Sequence, residues 1–134
     1  MEEVLAFFKE NPVFFIATSE DGQPRVRPFG AMINYGGKLF ICTNNQKKVF
    51  NQMKKDPRIE ICGFNGSKAE WLRLQATAEE VDDAAIRSRM LEENPMLKDV
   101  YSPNDGLFAV IGLSNCTASF WSMASLEPLK ETTF

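Results

Sequence analysis

Three runs in this chain, residues 13–18 (VFFIAT), 39–43 (LFICT) and 107–113 (LFAVIGL), are built of β-formers with apolar side chains at odd and even positions alike. Successive side chains of a strand point to opposite faces. Each run therefore needs cover on both sides. Four further runs read as strands, at 25–35, 58–64 (RIEICGF), 70–81 (EWLRLQATAEEV) and 117–123. In the long run at 70–81, Leu72, Leu74, Ala76 and Ala78 share one face, and Trp71, Arg73, Gln75 and Thr77 share the other. Seven strand-like runs with only short helices predict a mostly β fold, an antiparallel barrel that manages its edges by closure. A barrel has one inside. The outward apolar faces exceed what short helices can cover, so a homodimer is the simplest expectation.

The punctuation fits. Asp21-Gly22, Gly36-Gly37 and Asn65-Gly66 are turn signals. Short helices are expected at 2–10, at 45–55, and from Asp82 or Asp83 to about Glu93, where Pro95 follows. Met96 to Tyr101 can add a further helical turn. At 134 residues the chain reads as one domain, 1–134. Its last segment, 124–134, has no strong period and is expected to be loosely ordered.

Charge and residue types narrow the chemistry. A formal net charge of −3 gives no general field for a polyanion. No apolar run approaches the ~20 residues of a membrane helix. The acidic start MEEVLAFFKENP lacks the basic region of a signal peptide, so a cytoplasmic address is expected. Cys42, Cys62 and Cys116 lie in strand-like runs without metal-site spacing, and no metal is expected. The chain has no histidine, which removes Ser-His-Asp and Cys-His catalysis and the commonest general base. Redox or group chemistry here would need a borrowed cofactor.

The segment 38–57, KLFICTNNQKKVFNQMKKDP, offers a place to bind one. A strand leads into Thr43, Asn44 and Asn45, then into Lys47 and Lys48 at the opening of a helix. Asn is a favoured N-cap, and a helix start presents free N–H groups and partial positive charge. A Thr hydroxyl and two ammonium groups suit the place to a phosphate. The other reading is a surface helix with solvated lysines. Upstream, Arg25 and Arg27 share one face of a strand, and Pro28 marks an edge or a bulge. They serve either as ligand contacts or as solvent-facing edge charges.

Six segments in order, PVFFIAT, GQPRVRPFGAM, KLFICTNNQKKVFNQMKKDPRIEI, EWLRLQATAEEV, NPML and TASFWSM, resemble the pyridoxamine 5′-phosphate oxidase-like, FMN-binding split-barrel proteins. The likeness is to the short bacterial general-stress and nitroimidazole-resistance relatives, and it covers about residues 1–123. It implies a six- to seven-stranded antiparallel Greek-key split barrel, homodimeric, with FMN sites across the interface. It also implies a flavin-dependent oxidoreductase acting on a small molecule, with no nucleic-acid or membrane partner.

Carried onto this chain, the resemblance gives Arg27 the flavin ring, near N1 and O2, with backbone at Pro28 and Phe29 and with Arg25 beside it. Thr43, Asn44, Asn45 and Lys48 take the phosphate and ribityl end, with Lys47 as a second cation. Trp71 falls where the vitamin-metabolising oxidases carry a ring-contacting Gln. It either borders the flavin or packs in core or interface, and Arg73 shares its face. Phe120 and Trp121 either close the site from the partner chain or are packing residues. No residue is assigned a catalytic role. The true oxidases carry a C-terminal extension that this sequence lacks, so pyridoxamine phosphate oxidation is not expected. The histidine of nitroimidazole reductases is also missing. Three rivals stand beside the oxidoreductase: a flavin-storing or redox-sensing module, a barrel binding RNA or protein through Lys47, Lys48, Lys54, Lys55 and Arg58, and a relative using haem or a deazaflavin.

Overall fold

A computed structural model describes residues 1–134. The chain runs α1 (Glu2–Glu10), β1 (Phe14–Glu20), β2 (Gln23–Phe29), β3 (Met32–Tyr35), β4 (Lys38–Asn44), α2 (Lys48–Lys55), β5 (Arg58–Asn65) and β6 (Glu70–Glu80). It continues through α3 (Ala84–Glu93), a 3-10 turn (Pro95–Asp99), β7 (Phe108–Ser122) and β8 (Lys130–Thr133). All strand pairs are antiparallel, in the order β2-β1-β5-β6-β7-β4-β3, with β8 beside β7.

The sheet curls into a split barrel because its inward side chains share one core. Phe14 and Ile16 of β1 belong to the same buried cluster as Met32 of β3 and Leu39 and Ile41 of β4, from the opposite end of the sheet. Leu72, Leu74, Ala76 and Ala78 enter it together, as their period of two requires. α2 adds Val49, Phe50 and Met53, and α1 adds Val4 and Phe8. The outward face of β4 has its own cover. Phe40 joins Ile33, Phe108 and Val110 against Ile86, Met90 and Leu91 of α3 in a second buried cluster. β1 has no such cover on its outward side, and Phe15 stays 46% exposed.

Eight strands form rather than six or seven: one expected run splits, two merge and the tail adds one. The expected single strand at 25–35 breaks at Gly30-Ala31 into β2 and β3, which lie at opposite ends of the sheet order. The expected pair at 107–113 and 117–123 is one strand, β7. It bends at Asn115, whose φ is 50°, where its register on β6 shifts between Gln75 and Thr77. One half of β7 pairs with β4 and the other with β8. The expected fraying of 124–134 is corrected in part: Lys130–Thr133 pairs with the free edge of β7, and Lys130 reaches Glu3 of α1 at 2.6 Å.

Gly63 on β5 marks a close approach. A Cβ there would stand 2.7 Å from Phe8 Cε1 and 2.9 Å from Phe7 Cε1. Phe8 is buried, so its ring has little room to withdraw. Gly63→Ala is expected to lower stability by about 1–3 kcal/mol through overpacking, measured by urea unfolding. Unchanged stability would show that α1 is not seated this way.

Candidate functional site

The barrel end next to α2 is held by one arginine. On β2, Arg27 pairs with Ile16 of β1 and points to the same side of the sheet. Its Nη1 donates to the carbonyl oxygen of Ile16 at 3.1 Å and to Thr18 Oγ1 at 2.8 Å. Its Nη2 donates to Gln52 Oε1 of α2 at 2.7 Å. Thr18 Oγ1 donates to the same Gln52 oxygen at 2.6 Å, and Gln52 Nε2 donates to Glu20 Oε2 at 3.1 Å. A guanidinium has five N–H donors. Here the Nε–H makes no bond within the chain. Burial, and then the nearby Arg25, lower the Arg27 pKa while Glu20 raises it, and the group remains a cation.

Two adjoining hollows share Arg27, Lys47 and Val49. The first, about 270 Å³, is lined by Phe29, Met96, Leu97 and Tyr101 together with Pro28, Gly30 and Thr43. Thr43 is buried, yet its hydroxyl bonds to nothing in the chain and is not sealed from solvent. Cys42 lies in the same wall, and burial raises its thiol pKa to about 12, so it stays a neutral lining group. The second hollow, about 390 Å³, gathers Arg25, Arg27, Lys47 and Lys48 against the single carboxylate of Glu20. Lys47 and Lys48 make no ion pair. A hydrogen bond from Gln52, then one from Arg25, lower the Glu20 pKa, so it is charged at neutral pH.

The structure thus brings Arg27, Pro28, Phe29, Thr43 and Lys47 to one hollow and adds Arg25 and Lys48 in the next. Asn44 and Asn45 have partners within the chain. Asn44 Oδ1 accepts from the Gln46 amide, and Asn45 Nδ2 donates to the Gly106 carbonyl, both at 2.8 Å. Neither caps α2. Its N-cap is Lys47, without a side-chain bond, so the expected Asn cap is corrected.

The aromatic residues separate. Trp71 and Trp121 face outward across β6 and β7, stacked with centroids 5.0 Å apart and an 11° interplanar angle. Arg73 lies over both, with Cζ 4.9 Å and 5.5 Å from the ring centroids. Phe120 faces the other way and packs on the core beside Phe7, so within the chain it is a packing residue. None of these four lines either hollow. Sequence reading missed Gln52, Thr18, Met96, Leu97 and Tyr101. Only Gln52 left a signal: it follows Val49 by three residues and so falls on the apolar face of α2.

The hollows fit a ligand with a flat apolar body and a phosphate end. The first supplies aromatic and aliphatic walls with unspent donors at Thr43 and Arg27, and the second supplies uncompensated positive charge. The profile of the pyridoxamine 5′-phosphate oxidase family matches residues 1–121. This chain belongs to that family. A NimC/NimA family protein from Clostridium acetobutylicum is 40% identical, covering 100% of this chain and 93% of its own, with a TM-score of 0.93. Two more distant structures share the fold alone. General stress protein 26 from Bacillus anthracis is 13% identical over 99% of this chain and 97% of its own, at a TM-score of 0.80. A pyridoxamine 5′-phosphate oxidase-related, FMN-binding protein from Nostoc punctiforme is 13% identical over 99% and 94%, at 0.65. No curated protein matches the sequence. No helix is long and apolar enough to cross a membrane.

Proposed function

We propose that this protein binds FMN as a homodimer and acts as a flavin-dependent oxidoreductase on a small acceptor. One observation carries the reading: an apolar-walled hollow and a four-cation hollow meet at Arg27 and Lys47. The phosphate of FMN is a dianion near neutral pH. Arg25, Lys47 and Lys48 would hold it, while Thr43 and the free Nε–H of Arg27 meet the ribityl chain and ring edge. Phe29 and Tyr101 would flank the ring and exclude water. When bound, the flavin supplies hydride and electron chemistry that no side chain here can. No histidine or carboxylate lines the first hollow. The chain's share of the work is binding, orientation and a fixed positive charge.

The dimer rests on the outer sheet face. Phe15, Val26 and Phe64 are 46%, 68% and 52% exposed, and register sets them in a strip with Pro28, Cys62 and the Trp71–Trp121 stack. A strip of exposed apolar side chains supports an interface there. A second copy seated there would cover Trp71, Arg73 and Trp121. A second reading, a flavin-storing or redox-sensing module, has the same site. It is favoured by a hollow that no histidine or carboxylate lines, and is separated by turnover with reduced nicotinamide.

Lys48→Glu is expected to weaken FMN about ten- to hundredfold, the worth of a charged hydrogen bond plus like-charge repulsion. Riboflavin, without the phosphate, should lose far less. Equal losses in a fluorescence titration would remove the phosphate from this cleft. Sizing at low protein concentration should give a dimer, and a stable monomer would contradict the shared site.

A further inference from the structure

The buried face of α2 carries one polar residue. Val49, Phe50 and Met53 enter the barrel core, and Gln52 is buried beside them, toward β1. An apolar side chain would pack there as well, and a buried amide costs stability unless both its ends are met. Gln52 meets that condition in one way only. Its Oε1 accepts from Arg27 Nη2 at 2.7 Å and from Thr18 Oγ1 at 2.6 Å, and its Nε2 donates to Glu20 Oε2 at 3.1 Å. A guanidinium cannot accept a hydrogen bond and a carboxylate cannot donate one. The amide is therefore fixed with its oxygen toward the arginine. Thr18, also buried, is fixed in turn: its one proton goes to Gln52, so its oxygen accepts from Arg27 Nη1 at 2.8 Å.

We infer that Gln52, with Thr18, is a positioning residue that holds the Arg27 guanidinium in one orientation for the ring end of a bound flavin. The inference rests on the flavin reading above and adds to it a residue that acts through another. Both terminal nitrogens of Arg27 are gripped, Nη1 by the Ile16 carbonyl and Thr18, Nη2 by Gln52. A planar group held at both ends cannot turn about its Cζ–Nε bond. The Nε–H is left over, on a side chain that lines both hollows. Every group in the grip is neutral, and Arg27 makes no ion pair. Its charge is therefore held in place without being cancelled. A glutamate at position 52 would grip the arginine too, but it would neutralise that charge and repel Glu20. A leucine or methionine would leave the guanidinium free to turn. The amide alone fixes the cation and keeps it unspent, which is preorganisation of a binding group by its support.

The test has two readouts on the full chain. Nitrogen–proton spectra of the flavin-free protein follow the Arg27 guanidinium. In the wild-type chain its two terminal nitrogens are expected to give separate resonances, because rotation is blocked. Gln52→Met, of similar length but without polar partners, should merge them. A single averaged resonance in the wild-type chain would overturn the inference before any variant is made. Fluorescence titrations with FMN and riboflavin then read the consequence. The grip acts at the ring end, so Gln52→Met should weaken both flavins by a similar factor, about tenfold. Thr18→Val should weaken both by less, and Thr18→Ser, which keeps the hydroxyl, should stay within about twofold of the wild-type affinity. Affinities unchanged in both Gln52→Met and Thr18→Val would overturn the inference. A loss confined to FMN would put the effect at the phosphate and overturn it as well. Binding of neither flavin by the wild-type chain would remove the flavin reading, and with it the role assigned to Gln52, whatever the spectra show.

Discussion

The guanidinium of Arg27 is the joint on which the site depends. It ties the edge strand β2 to the backbone of β1 at Ile16, to the hydroxyl of Thr18 and to Gln52 on α2. An edge strand has one unpaired side and is free to twist away. Three hydrogen bonds to two other elements hold this one against the helix that closes the barrel end. The same tie sets Arg27 between the apolar hollow and the cationic one, so fold and binding chemistry meet in one side chain. Gln52 is 5% exposed and has both ends of its amide satisfied. A buried polar group in that position is a liability unless fully partnered. Here it is partnered and serves as a positioning residue.

Around that joint four cations share one carboxylate. Lys47 and Lys48 have no carboxylate partner, and Arg25 reaches Glu20 at 3.2 Å through only part of its donor set. Unspent cations in a concave place are costly to the fold through mutual repulsion and favour an anionic occupant. The apolar hollow alone, at about 270 Å³, is at the small end for an organic ligand. The stacked tryptophans and Arg73 are rigid, large and placed on the outer sheet face, which suits them to an interface.

Much of this was legible in the residues. Period two fixed the inner face of β6, and Asp-Gly, Gly-Gly and Asn-Gly located the hairpins. Arg27, Thr43, Lys47 and Lys48 stood out because charge and hydroxyl groups sat at strand and helix ends. The break at Gly30-Ala31 did not stand out, since the run 25–35 keeps strand-like character on both sides of it. β8 was hidden for a different reason. Its residues, KETT, carry little apolar signal, and the pairing is offered by the edge of β7 that the bend at Asn115 leaves open. Met96, Leu97 and Tyr101 join the hollow only because α3 packs across β4. That is a tertiary fact with no local pattern, and the same holds for the bond from Asn45 to Gly106, 61 residues on, whereas Asn44 closes a local turn on the Gln46 amide.

The most direct measurement is a two-dimensional nitrogen–proton spectrum of the labelled protein, following the side-chain Nε–H of Arg27 as FMN is added. That proton has no partner in the chain, so docking a flavin against it should shift its resonance strongly. The shift should saturate at one FMN per chain, in step with the Lys47 and Val49 amides. An Arg27 Nε–H signal that stays put while FMN binds would place the flavin elsewhere and contradict the site described here.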